Sequence, residues 1–285
     1  MCSPYRTNLL RACLGLALVA VFGAGMLHAQ PRRPRPAHPS DMKTPDQAEG
    51  TDILGQMRQA LMAEDTYLEF ELKVLPRRGE EILSEGRLWA SQNSEGPVMR
   101  LSLGEGTLLV QSGPNPMAWR WSSRAQREPA VMDVATWFAP LADSDLSAFD
   151  LQMPFLFWED WVYEGQGMVG GRTADTFFVK PPPSVATQRP ELTAIRFHLD
   201  RTYHAILLAE HIGKDGAVMK TFRLVGLKRV GERYTMKAVE IRDEMTRRKT
   251  RLTVTEARIG DPLPAMMFKP EYLDRGPSKP ARADN

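Results

Sequence analysis

The chain is expected to be mainly β, an antiparallel sheet of about eleven strands with a few helices over it. Three observations predict this class. Apolar and polar residues alternate at a period of two through most of the chain. The runs are joined by short glycine-containing turns, and strand and helix signals do not alternate as a parallel sheet requires. Of the 285 residues, 42% are apolar and 25% charged. That is ordinary for a globular domain and excludes a wholly disordered chain, a collagen-like fibre and a polytopic membrane protein.

The elements follow in chain order. Arg6 and Arg11 precede the uncharged apolar run Ala12–Leu27, and Ala29 puts a small residue before Gln30. This order predicts a secretory leader over residues 1–29, cleaved after Ala29. Its sixteen-residue run falls short of the ~20 residues of a helical span; the alternative is an uncleaved anchor. The leader takes two of the 37 basic residues and none of the 35 acidic ones, so the remainder is neutral. A nucleic-acid binder usually carries a basic excess, and this chain has none. Cys2 and Cys13 both lie in the leader, leaving no disulfide, thiolate metal site or cysteine nucleophile downstream. Residues 30–50, with five prolines and Arg32, Arg33 and Arg35, read as an extended, solvated linker; the alternative is peripheral contact of the three arginines with anionic lipid heads.

Residues 51–275 are expected to form one domain, followed by a disordered tail over 276–285. Thr51 or Asp52 is placed to cap a helix whose buried face is Ile53, Leu54, Met57, Leu61 and Met62. The period then changes to two. Leu68, Phe70, Leu72 and Val74 alternate with charged residues, and Ile82–Ala90 runs back after the Arg78-Gly79 turn. Met99, Leu101 and Leu103 alternate with Arg100 and Ser102, Thr107–Gln111 follows a glycine turn, and Met117, Trp119 and Trp121 alternate with Ala118 and Arg120. Residues 130–161 are apolar and aromatic without that period, and Asp143 or Ser144 is placed to cap a helix through Leu146, Phe149 and Leu151. Strands resume at Trp161–Met168 and Thr176–Lys180. A proline loop reaches Pro190, and further strands run to Ile259, with a tight turn at Lys214-Asp215-Gly216.

Chemistry is sparse. No G-x-S-x-G, H-E-x-x-H or phosphate-loop motif occurs. His198 and Asp200 with His204 would be a weak metal set, and such histidines on a wet strand face usually meet water. No metal, cofactor or enzyme activity is expected. The basic run Arg247-Arg248-Lys249 with Arg251 reads as a solvated hairpin tip. The distinctive feature is the apolar inventory: six Trp and, beyond the leader, thirteen Met. Methionine is flexible and suits a surface that fits variable acyl shapes. About eleven strands with one apolar face make a curved half-barrel that one or two helices would only partly fill.

From Asp150 to Leu273 the chain resembles the outer-membrane lipoprotein-sorting protein family, related to the LolA and LolB carriers. The resemblance rests on Asp150-Leu151, Phe155-Leu156-Phe157-Trp158, Gly171-Arg172, Ile195 to Asp200 with Tyr203, Lys214-Asp215-Gly216, Lys220-Thr221-Phe222 and Thr250-Arg251-Leu252. His198 departs from it, standing where an aromatic residue is expected. The resemblance implies an unclosed antiparallel β-barrel with helices as a lid over an apolar cavity. It implies a periplasmic, non-enzymatic carrier of lipoprotein or lipid acyl chains, meeting inner- or outer-membrane transport proteins. The alternative on the same fold is an envelope-stress sensor that binds a partner protein. The cavity wall is expected from Leu68, Phe70, Leu72, Met99, Leu101, Leu103, Trp119, Trp121, Phe197, Phe222, Leu224 and Met236. The lid is expected from Val131, Trp137, Phe138 and Leu141, then Leu146, Phe149, Phe155 and Phe157.

Overall fold

The computed structural model describes residues 45–280 apart from 62–63, 123–127, 204 and 278. The leader, the linker up to residue 44, Met62, His204 and residues 281–285 lie outside it.

Helix α1 (Gln47–Ala60) is followed by β1 (Thr66–Leu75), β2 (Ile82–Asn93), β3 (Gly96–Leu103), β4 (Gly106–Gln111), β5 (Met117–Ser122) and the two-residue β6 (Ala130–Val131). After α2 (Ala148–Gln152) come β7 (Trp161–Val169), β8 (Arg172–Val179), α3 (Pro183–Ala186), β9 (Leu192–Asp200) and β10 (Ala205–Gly213). The run ends with β11 (Val218–Val230), β12 (Arg233–Asp243) and β13 (Lys249–Ile259). The strands form one antiparallel sheet of thirteen in the order β6-β5-β4-β3-β2-β1-β13-β12-β11-β10-β9-β8-β7. The chain meanders out to β6, crosses over residues 132–160 to the opposite edge, and meanders back until β13 pairs with β1, Leu72 facing Leu252. β6 and β7 are unpaired with each other, so the barrel is unclosed. The sheet exceeds the expected eleven strands, and β6 is too short to show a period.

The sheet wraps around α1 and the crossing segment. Ile53, Leu54 and Met57 of α1, Leu146, Phe149, Phe155 and Leu156 of the crossing, and inward residues of both meanders share one buried core. α1 begins five or six residues upstream of the expected start. Its cap is Asp46, whose carboxylate accepts from Ala48 N–H at 2.9 Å, while Thr51 is a turn inside and donates to Gln47 O. The Gln47 amide both donates to and accepts from the Tyr163 backbone at 2.9 Å, occupying groups that edge strand β7 would leave free. Gly50 permits this approach, since a Cβ there would lie 2.6 Å from Tyr163 Cβ.

Helix α2 also differs from expectation. Its cap is Ser147, in a reciprocal capping box with Asp150; Asp143 and Ser144 form the preceding turn. The proline loop contains the single-turn α3.

The largest departure is on the outer face. Residues 261–275, with 3₁₀ turns at Ala265–Phe268 and Pro270–Tyr272, form a strap across β1–β5. Tyr67 and Trp89 pack against Met267; Val98, Leu109, Trp119 and Trp121 pack with Leu273 and Phe268. Arg100, expected on a wet face, is 1% exposed. Its guanidinium donates to the carbonyls of Met267 and Tyr272 at 3.0 Å, of Leu273 at 3.2 Å, and of Arg275. Burial pushes it down to about 10. The tail expected to be disordered after Gly276 is described in part, and Lys279 there pairs with Glu256 at 2.5 Å and Glu69 at 3.1 Å. Among the described residues, no helix is long and apolar enough to cross a membrane.

Candidate functional site: an apolar cavity beneath the first helix

The core is not filled throughout. An outer chamber of about 440 Å³ lies between the end of α1 (Met57, Ala60, Leu61), Leu68 of β1, Leu88 of β2, Ile206 of β10, Phe222, Leu224 and Leu227 of β11, and Met236 and Val239 of β12. Ligand pockets typically span about 300–1,000 Å³. A deeper chamber of about 100 Å³ adds Phe70, Met99, Leu146, Leu151, Leu156 and Leu252, with Asp150 and Gln152 of α2. Leu61, Leu68, Leu88, Met153, Phe222, Met236 and Val239 line both chambers, so side chains alone divide them. Two dividers are methionines, whose unbranched chains reorient at low cost.

The outer chamber meets solvent where β11 turns into β12. Glu64 and Arg233 form an ion pair at this rim. Tyr203 and Tyr234 meet edge to face at 5.1 Å, and the Arg172 guanidinium lies 4.8 Å over the Tyr203 ring. The mouth is thus polar and aromatic and the interior hydrocarbon, an order suited to an amphipathic guest.

Of the expected wall, Leu68, Phe70, Met99, Phe222, Leu224 and Met236 line the chambers. Leu72 and Phe197 are in the filled core, Phe197 stacked on Phe177 with centroids 5.3 Å apart. Leu101 and Leu103 edge a separate shallow depression with Leu141. Trp119 and Trp121 are on the opposite face of β5, under the strap, and Ala118 is the inward residue. Bulk misled the alternation there because the strap covers large apolar residues on the outer face of β5, while the other face carries Ala118 and Arg120.

The expected lid is mostly a plug. Phe149 and Phe155 are buried inside the sheet's curve, and Phe138 stacks on Phe149 at 4.3 Å. Leu146 lines the deep chamber. Val131 is 62% exposed on edge strand β6. Trp137 and Phe157 border a depression of about 900 Å³ that shares no residue with the chambers and carries Glu159, Asp160 and Lys180 on its rim. It is larger, but its charged rim offers less to an apolar guest.

Met57, Leu61, Met153, Ile206, Leu227 and Val239 line the cavity without having been expected to. The available signal was that β11 and β12 continue past Leu224 and Met236 as apolar residues the core does not cover: Phe222, Leu224 and Met236 are only half-buried.

Polar chemistry gathers at the inner end. Asp150 Oδ2 accepts from Ser147 N–H at 2.8 Å, Ser147 Oγ at 2.6 Å and Lys220 Nζ at 2.5 Å. His211 Nε2 is 3.9 Å from Asp150 Oδ1. Burial lowers His211 to about 4. Among the described residues no nucleophile is paired with it, and the Ser147 hydroxyl donates to Asp150. His198 bonds Thr176 Oγ1 at 3.0 Å and lies 3.8 Å from Glu210, while His204 is outside the described residues. Among the described residues, no three His, Cys, Asp or Glu side chains are grouped as metal ligands. The basic run sits at the β12–β13 hairpin, where Arg248 pairs with Asp145 at 3.3 Å, and Lys249 and Arg251 with Glu240 at 3.1 and 3.5 Å.

A family model described as "Uncharacterized protein" matches residues 138–275. No curated protein matches the chain. A domain from Vibrio parahaemolyticus, named for outer membrane lipoprotein sorting, superposes with a TM-score of 0.69 at 16% identity, covering 81% of this chain and 100% of that one. A DUF1329 family protein from Desulfovibrio piger gives 0.68 at 16% identity, covering 79% and 98%. A LolA superfamily protein from Nitrosomonas europaea gives 0.57 at 12% identity, covering 78% and 98%. The chain therefore has the LolA-like fold.

Proposed function

We propose that this domain is a non-enzymatic carrier of acylated cargo, lipid or lipoprotein, working in the cell envelope. The observation that carries the reading is the two-chambered cavity inside the unclosed sheet, hydrocarbon within and polar at its mouth. Keeping one acyl chain of ~16 carbons out of water is worth about 12 kcal/mol at ~0.8 per CH₂. A carrier must supply a comparable apolar surface and still release its guest. Half-buried Phe222, Leu224 and Met236 supply the surface, since their exposed parts face the chamber and not a packed neighbour. Release needs a wall that yields, and the methionine dividers and the Glu64–Arg233 pair at the rim are groups whose rearrangement costs little. The envelope setting is supported by the leader-like first 29 residues and by the fold shared with a lipoprotein-sorting domain.

The test is displacement of a fluorescent fatty acid, with native mass spectrometry before and after organic extraction. The wild-type chain is expected to release an acyl species and to bind the probe. Leu224→Glu, which places a carboxylate in the outer chamber, is expected to weaken the probe at least about tenfold while the chain stays folded. A folded wild-type chain with neither acyl species nor probe binding would sink the carrier reading and favour a partner-binding module.

A further inference from the structure

The charges of the outer chamber stand together at its rim. Among the described residues that line it, Glu64 and Arg233 are the charged ones, and they pair with each other. The pair ties the connection between α1 and β1 to the first residue of β12. It reaches across the end of β13, where a Cβ at Gly260 would lie 3.3 Å from the Arg233 guanidinium. Both side chains are open to water, Arg233 at 50% and Glu64 at 39%. An exposed pair of this kind is worth only about 0–1 kcal/mol, so either group exchanges its partner readily. Thr66, Thr235, Tyr203 and Tyr234 add polar groups to the lining, whose hydrocarbon comes from Met57, Leu61, Leu224 and Met236.

We infer that this rim reads the head of the guest, and that the preferred cargo is an acyl chain with a zwitterionic head, its ammonium taken by Glu64 and its phosphate by Arg233. The inference rests on the acyl-carrier reading. A chain held in the hydrocarbon of the chamber leaves its head at the rim, beside both side chains. Charge balance then selects the head. An anionic head would take Arg233 and leave the Glu64 carboxylate unpaired next to a like charge. A cationic head would strand Arg233 in the same way, and an uncharged head gains no ion pair. A zwitterion replaces one pair by two. The guanidinium, a planar fork of N–H donors, suits phosphate oxygens. Tyr203 and Tyr234, edge to face at 5.1 Å, place amphipathic rings where the head meets water on one side and hydrocarbon on the other.

The experiment compares three lipids that share one palmitoyl chain: lysophosphatidylethanolamine, lysophosphatidylglycerol and monopalmitoylglycerol. Each is used below its micellar concentration to displace a fluorescent fatty acid from the wild-type chain. The zwitterionic lipid is expected to bind about fivefold tighter than either of the others, the effect of one additional exposed ion pair. High salt is expected to shrink that preference. Glu64→Gln, checked for folding by its melting transition, is expected to bring the anionic lipid level with the zwitterionic one. Arg233→Gln is expected to abolish the advantage of the zwitterionic lipid over the uncharged one. Equal binding of the three by the wild-type chain, or tightest binding of the anionic lipid, would overturn this inference and leave the carrier reading standing. Displacement by none of them, with no binding of the fluorescent acid itself, would overturn both.

Discussion

Gly86 shows how tightly single residues set the cavity wall. It is buried in β2, and a Cβ there would lie 2.2 Å from Cζ of Phe70, which lines the deep chamber. Gly86→Ala must displace that ring, and is expected to cost about 1–3 kcal/mol in urea unfolding, as overpacking does. His211 sets a pH limit. It is buried with its edge against Phe149 at 5.3 Å, and faces Asp150, Lys220 and Arg189; burial and the two cations lower it while Asp150 raises it. Its folded value of about 4 is below the ordinary 6.5, so the unfolded chain takes the proton first. Its contribution is therefore complete above pH 6.5 and is lost as pH falls from 6.5 toward 4. Glu210, held low by the neighbouring His198, costs stability only as pH falls through the ordinary carboxylate range and below. Urea midpoints are thus expected to fall between pH 6.5 and 5, and to fall less in His211→Gln.

At the scale of elements, the strap is the part whose removal tests the most. It buries Arg100 under four backbone carbonyls and covers Trp89, Trp119 and Trp121. A chain ending at Gly260 would open Arg100 to water and uncover Tyr67, Trp89, Val98 and Leu109, at roughly 1.5–3 kcal/mol for each large apolar side chain laid bare. Such a truncation is expected to lower the urea midpoint and to shift tryptophan emission to the red. An unchanged midpoint would mean that the strap adds no net stability. α1 and α2 act differently, as filling inside the sheet: α1 leaves the outer chamber open below Met57 and Leu61, while α2 closes its inner end with Asp150 and Gln152.

For the molecule as a whole, the decisive contact is between the first and last strands. β1 and β13 pair along their length, about 180 residues apart, and join the two meanders into one sheet. Neither meander can bury its inner face without the other, since α1 and the crossing segment pack against both. The described domain is therefore expected to unfold in a single transition, with far-UV circular dichroism and tryptophan fluorescence coinciding. Separate transitions would show that the meanders are independent. Pairing that spans so much sequence also predicts slow folding.

The class of the protein was legible from the sequence because alternation is local. Leu68, Phe70 and Leu72 against Glu69, Glu71 and Lys73 determine a strand and its buried face, and glycine turns make its neighbour antiparallel. The inward members of this pattern included half of the expected cavity wall. What the tertiary structure decided is which apolar face meets which neighbour. Trp119 and Trp121 look inward only until the strap, some 150 residues later, supplies a second core on the outside. Arg100 looks wet until the same strap brings it four carbonyls. Phe149 and Phe155 look like a cover until the sheet curves around them. Whether an apolar side chain ends in a packed core or at an open chamber depends on the atoms beyond it. Those atoms come from strands distant in sequence, and no local period records their arrival.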